Sequence, residues 1–216
     1  MHIQLTDILT CPVCGPAFGL IVRADRIVER RVREGVLGCP NCRRQYPIVD
    51  GVARLAANGQ DATADAIEQP PMRPDMSDPD EAVRIAALLG LGQEAGRPSG
   101  FVALVGRAAG RARAVAALVE GQEFVAVDAN AAGLDDSDRV SRVATDAALP
   151  FYDAKLRAIW LGGDASDMLL EDATRALHPL GRLVLEPSPA DAHARLAARG
   201  LHVLAHERET LVATRS

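Results

Sequence analysis

Two Cys-Pro-x-Cys turns, Cys11-Pro12-Val13-Cys14 and Cys39-Pro40-Asn41-Cys42, hold all four cysteines of this 216-residue chain within its first 42 residues. Each turn can aim two thiolates at one ion while backbone amides behind them offset the negative charge. Two such knuckles complete a tetrahedron. CxxC pairs this far apart read as one structural zinc site made by Cys11, Cys14, Cys39 and Cys42, with rubredoxin-like iron as the competing metal. The scarcity of aromatics around the knuckles and the lack of a redox partner domain weaken iron. A site closed by four thiolates has no open coordination position, so it is assigned no catalysis; its role is to fold a segment too small to fold on its core alone.

Composition bounds the rest. Nearly half of the residues are apolar, enough for one medium domain and a small one. Charge is uneven along the chain: residues 1–56 carry eight arginines against five acids, and residues 57–81 one against seven. A slightly basic head and a near-neutral body therefore flank an acidic joint. Lys155 is the single lysine beside twenty-three arginines, which suggests a GC-rich bacterial genome. The N-terminus lacks a basic region followed by a long apolar stretch, and no window has the length needed to cross a bilayer; the expectation is a soluble, cytoplasmic protein without a membrane partner.

Between the knuckles, Leu20 to Val22 and then Ile27 and Val28 can leave the first turn and return to the second as short strands or as a strand and a helix. After the second knuckle, Tyr46-Pro47-Ile48-Val49-Asp50-Gly51-Val52 reads as a strand, a tight Asp50-Gly51 turn and the start of another strand. Leu5 and Ile8-Leu9 before the first knuckle, together with both knuckles and this YPIVDGV phrase, resemble the tRNA methyltransferase subunit 112-like family over about residues 1–56. The resemblance implies a small zinc ribbon that binds and stabilises class I methyltransferases acting on tRNA, rRNA or protein. In that family the ribbon pairs edge to edge with a separate methyltransferase, so an intramolecular version of the contact is expected here. Arg30, Arg31, Arg33, Arg43 and Arg44 could touch RNA phosphates, but no stacking aromatics are interleaved with them and a solvated face is preferred.

Residues 57–77, acidic and interrupted by Pro70, Pro71 and Pro74, read as a linker. Asp78-Pro79-Asp80-Glu81 then supplies an N-cap, a proline for the first helical position and first-turn acids, opening a helix that runs to Gly90. From Gly100 short apolar runs alternate with helical stretches, the pattern of a parallel sheet covered on both faces. Strands are expected at Phe101 to Val105, Phe124 to Val127, Val140 to Ala144, Ala158 to Leu161 and Arg182 to Leu185, with a closing pair at Leu201 to His206 and Thr210 to Thr214. Helices are expected at Arg111 to Glu120, Ser166 to His178 and Ala190 to Arg199. The predicted fold class is α/β: a small β-rich ribbon (1–56), the linker (57–77) and a Rossmann-like seven-stranded body (78–216).

Four phrases in this order resemble class I S-adenosylmethionine-dependent methyltransferases over about residues 80–216. Phe101 to Gly110 lies where that family carries its glycine-rich first motif, and Val125-Ala-Val-Asp128 where a strand ends in an acid for the ribose hydroxyls. Thr145-Asp146-Ala-Ala-Leu149-Pro150-Phe151 resembles its adenine-side segment, and Arg175 to Leu185 its helix-to-strand passage. The resemblance implies Gly106, Gly110, Asp128, Asp146 and Leu149 as cofactor-binding positions. Asp128 and Asp146 also fit the ordinary role of an acid capping the following turn. Trp160 reads as core or pocket wall. Departures from the pattern are specific: the middle glycine is Ala108, the first-strand acid is Leu104, and Arg107 occupies the turn. The fourth strand ends in Trp160-Leu161-Gly162-Gly163, without the Asn/Asp-Pro-Pro-aromatic phrase of amino-methylating relatives.

No histidine pairs with a nucleophile at a suggestive spacing, and no catalytic residue is assigned. The leading expectation is a zinc ribbon fused to a methyltransferase-like pseudoenzyme with a scaffolding or activator role in methylation of RNA or protein. An active methyltransferase, retaining Asp128, Asp146 and the LPF phrase, is the second. A plain nucleic-acid-binding ribbon on an unrelated body is the third, weakened by an acidic whole.

Overall fold

The protein is described by a computed structural model covering residues 1–56, 79–92, 100–134, 136–145, 148–163 and 165–216. The expected linker, its Asp78 cap and Asp146 lie outside the described residues.

The apolar runs in the middle of the body become strands because they can bury both of their faces. Phe124–Val127, four residues all buried, is the clearest case, and such runs suit the middle of a parallel sheet. In chain order the elements are β1 (Thr10–Cys11), β2 (Gly15–Gly19), β3 (Ile21–Val28), β4 (Arg31–Gly38), β5 (Gln45–Val49), β6 (Val52–Arg54), α1 (Pro79–Leu88), β7 (Phe101–Gly106), α2 (Ala112–Leu118), β8 (Phe124–Val127), β9 (Val140–Ala144), β10 (Leu156–Gly162), α3 (Asp167–Ala176), β11 (Leu177–Glu186), α4 (Ala192–Ala197), β12 (Leu201–Glu207) and β13 (Thr210–Arg215).

Within the body the sheet runs β12-β13-β11-β10-β7-β8-β9. Strands β7 to β11 are mutually parallel along that row, and β13 is antiparallel to both β11 and β12. The order therefore reverses between β7 and β10, the switch point of a doubly wound sheet, where ligands enter at the carboxyl ends of the strands. Helices α1 and α2, with Leu89 just past the end of α1, cover one face through Ile85, Leu89, Val115 and Ala116. On the other face α3 and α4 pack Leu170, Ala173, Ala192 and Leu196. Among the described residues no helix is long and apolar enough to cross a membrane.

The sheet does not stop at seven strands. Beyond β9 it continues through β6, β5, β4 and β3 to give eleven. Strand β6 lies parallel to β9, with Val52, Ala53 and Arg54 beside Arg142, Val143 and Ala144. The next three pairs are antiparallel hairpins. Asp50 and Gly51 both take positive φ, the turn expected from Asp-Gly between strands. The β3–β4 turn uses Glu29 and Arg30, also at positive φ. No turn residue announces it in the sequence, which is why the segment was open to a helix.

Two boundaries shift for local reasons. The expected helix to His178 ends at Ala176, because the residue before Pro179 is biased away from helical backbone. The chain enters β11 at Leu177 and makes a register shift before Arg182 pairs with Ala158. Residues Arg107–Arg111, expected to open a helix directly at Arg111, form a 3-10 turn before α2.

Candidate metal centre and carboxyl-edge site

The first knuckle closes the bridge of β1 with β2, and the second follows the end of β4. Together they place the sulfurs of Cys11, Cys14, Cys39 and Cys42 within 4.8 Å of one another. Cys11 and Cys42 stand 3.7 Å apart, and Cys14 and Cys39 3.8 Å. Four sulfurs each about 2.3 Å from one tetrahedral zinc stand about 3.8 Å apart, so the donor set fits the ion in number, chemistry and spacing.

Tyr46, fully buried, places its hydroxyl 3.2 Å from Cys11 Sγ, and Asn41 Nδ2 donates to Cys14 Sγ at 3.3 Å. Burial pushes the Cys11 thiol up, but the Tyr46 hydroxyl and the amides of Cys14 and Val13 outweigh it and bring the group to about 7. Burial holds the Cys39 thiol above its usual range. The Tyr46 hydroxyl is raised too, first by burial and then by its bond to Cys11, so it stays a donor to the sulfur. The sequence offered Tyr46 only as part of a strand.

Three arginines knit the ribbon to the body. Arg31, expected on a solvated face, is buried and donates to the carbonyls of Asp138 and Val140. Arg33 pairs with Asp136. Arg142, on β9, donates to Asp50 O at 2.6 Å and Leu134 O at 2.7 Å. Backbone links extend the seam: Leu55 N to Ala144 O at 2.7 Å, Thr10 N to Pro150 O at 2.8 Å and Tyr152 N to Ile8 O at 2.9 Å. Met1, Leu5, Leu9, Leu37, Tyr46 and Ile48 share one apolar cluster with Val143, Leu149 and Phe151.

Of the expected cofactor positions, Gly106 and Asp128 come side by side at the carboxyl ends of the adjacent strands β7 and β8. Asp128 Oδ1 accepts from Asn130 N at 2.7 Å, the turn-capping role that acids take after strands. Gly110 lies half-buried in the 3-10 turn. Leu149 is buried in the core shared with the ribbon, and its backbone is held by Asp172 and Arg175.

The turn after β7 lies against the end of β10. Gly106 takes a φ of 63°, and a side chain there would strike Gly162 O. A Cβ at Gly162 would come within 2.9 Å of Ala108 Cβ. Leu104 is fully buried among the residues facing α1 and α2. Beside this turn opens a cleft of about 610 Å³ lined by Arg84, Arg107, Ala108, Trp160 and Glu186, among others. Trp160 is thus both core and cleft wall. Arg84 stacks 5.4 Å over its ring and bonds Glu81 at 2.7 Å and Glu186 at 2.8 Å. No sequence signal joins Arg84 to a carboxylate a hundred residues away.

Residues 2–51 match the model of the Trm112p-like protein family. A search of curated proteins finds no match. Among solved structures, a methyltransferase-type protein of Bacillus halodurans C-125 is similar at 20% identity and TM-score 0.45, over 59% of this chain and 70% of that one. A chain from the complex between the Haloferax volcanii Trm112 methyltransferase activator and a methyltransferase-type partner is similar at 17% and 0.44, over 62% of this chain and 88% of its own. The Aquifex aeolicus tRNA (m1A58) methyltransferase TrmI is similar at 15% and 0.44, over 66% and 70%. The chain therefore carries a four-cysteine ribbon that matches the Trm112p-like family and a body built as a doubly wound, mostly parallel sheet.

Proposed function

We propose that this protein is a non-catalytic scaffold for methylation of RNA or protein, in which a methyltransferase-type body is completed by its own zinc-bound Trm112p-like ribbon. The ribbon would span residues 1–56 and the body 78–216, joined through 57–77. The observation that carries the reading is the turn after β7. In the methyltransferase family that the body resembles, backbone free to approach and an acid near the ammonium group hold S-adenosylmethionine at this turn. Ala108 instead lies against Gly162, and the acid's position is the buried apolar Leu104. The residues present do not fit the methionine end of that cofactor.

The seam with the ribbon supports the same reading. The loop expected on the adenine side gives its backbone to the ribbon, at Pro150 and Tyr152. Cys11, Cys14, Cys39 and Cys42 would hold the zinc, whose part is to neutralise four thiolates and fix the knuckles. Because β6 is paired with β9, the ribbon has no free docking edge on that side for a separate methyltransferase.

The test is calorimetric titration of the purified, zinc-loaded protein with S-adenosylmethionine and S-adenosylhomocysteine. Silence at millimolar ligand is expected. Binding at micromolar strength would overturn the reading in favour of an active methyltransferase. In that case Asp128, at the carboxyl end of β8 beside Gly106, would be the residue to change first.

A further inference from the structure

Ten large apolar side chains are exposed among the described residues, and five of them, Val13, Phe18, Ile21, Ile27 and Val28, cluster on one stretch of the ribbon. Three of these lie on β3, the terminal strand of the eleven-stranded sheet, whose outer edge has no neighbour among the described strands. Along β3, Val22 and Ala24 turn in toward the core, while Ile21, Arg23 and Asp25 face outward. Such edges are usually blunted by charge or by a bulge. Here register shifts do fall between Ala24 and Arg26 and between Arg26 and Ile27, one on each side of Arg26, but the outward charges of Arg23 and Asp25 are of opposite sign and two residues apart.

We propose that β3 is a dimerisation edge that pairs antiparallel with β3 of a second copy about a two-fold axis through Ala24. In this register each Arg23 faces the other copy's Asp25, and each Ile21 faces Ile27. Moving the axis to Arg23 or to Asp25 would set like charges opposite each other, which is destabilising. The two-fold contact is closed, so it ends at two chains rather than growing into a filament. Arg23 and Asp25 already lie 3.5 Å apart within one chain with side chains 71% and 56% exposed, so exchanging partners across the axis needs little rearrangement. One strand edge buries less than a standard interface, so the association is weak, in the micromolar range.

Sedimentation velocity of the zinc-loaded full chain, from micromolar to submillimolar concentration, tests this. A reversible monomer–dimer equilibrium is expected. Asp25→Arg and Arg23→Asp should each weaken it by about tenfold or more, and the double swap R23D/D25R should restore it. Ile27→Lys should weaken it as well. All three positions are exposed, so each variant should keep its zinc content and melting curve. The proposal is overturned if the chain sediments as a monomer throughout, if the single changes leave a dimer untouched, or if the folded double swap fails to recover.

Discussion

None of the eight residues of β3 is buried, whereas all four residues of β8 are. The body holds itself together by covering a sheet on both faces with helices, so its strands can be read from apolar runs alone. The ribbon has few such runs and depends on four thiolates and on a neighbour: its apolar cluster is completed by Val143, Leu149 and Phe151 of the body. The metal and the seam should therefore act as one stabilising device, since the knuckles flank the strands that lead to β9.

Removing the metal should have the largest effect. Chelation of zinc, or Cys39→Ser, should unfold the ribbon and strip the edge of β9. The remaining body should then lose several kcal/mol and melt about 10 °C lower, measured by calorimetry. An unchanged melting curve for the body would separate metal from seam and end the idea that the ribbon supports it.

Next in size is Arg31→Ala, which orphans the carbonyls of Asp138 and Val140 in a buried seam. It should cost about 3 kcal/mol by denaturant titration, while Arg30→Ala at the exposed turn should cost under about 0.5 kcal/mol. Equal costs would mean that the seam carries no special weight. Tyr46→Phe removes the hydroxyl 3.2 Å from Cys11 Sγ. Zinc affinity in a chelator competition should fall about 10- to 100-fold, with the seam intact.

The smallest effect concerns acid. Burial raises the Asp136 carboxyl, but the hydrogen bond from Arg33 and the charges of Arg142, Arg33 and Arg31 outweigh it and hold the group below its usual range. With the folded value depressed, its stabilisation is complete above the unfolded value and is lost as pH falls through the folded one. Asp136→Asn should therefore cost at most about 1 kcal/mol at neutral pH. The difference from the parent should shrink as pH drops below about 4. A difference that persisted in acid would point to packing instead of charge.

The same contrast explains what could be read from sequence. The body's parallel strands between Phe101 and Leu185 were legible because strands buried on both sides are continuous apolar runs, and their ends moved by one or two residues except at β11, which starts five residues early, at Leu177. The metal site was legible because ligand spacing is local. The seam was not: Arg31 and Arg30 are adjacent in sequence, yet only Arg31 meets carbonyls more than a hundred residues away. The sheet's continuation past β9 was expected from resemblance alone, since three residues of β6 carry no period to read. The substitutions at Leu104 and Ala108 were legible, but the contact of Ala108 with Gly162 depends on how β10 lies beside β7.

The parallel pairing of β6 with β9 also sets a clock. The partner of Val52 to Arg54 is Arg142 to Ala144, encoded about ninety codons later. At ordinary rates of synthesis a ribbon that has already taken its metal waits on the order of ten seconds before β9 exists to receive it. Throughout that wait the inner edge of the ribbon is open to any strand that passes. An edge only three residues long, ending in Arg54, gives a stranger little to hold, and the nascent chain is left to wait for its own partner.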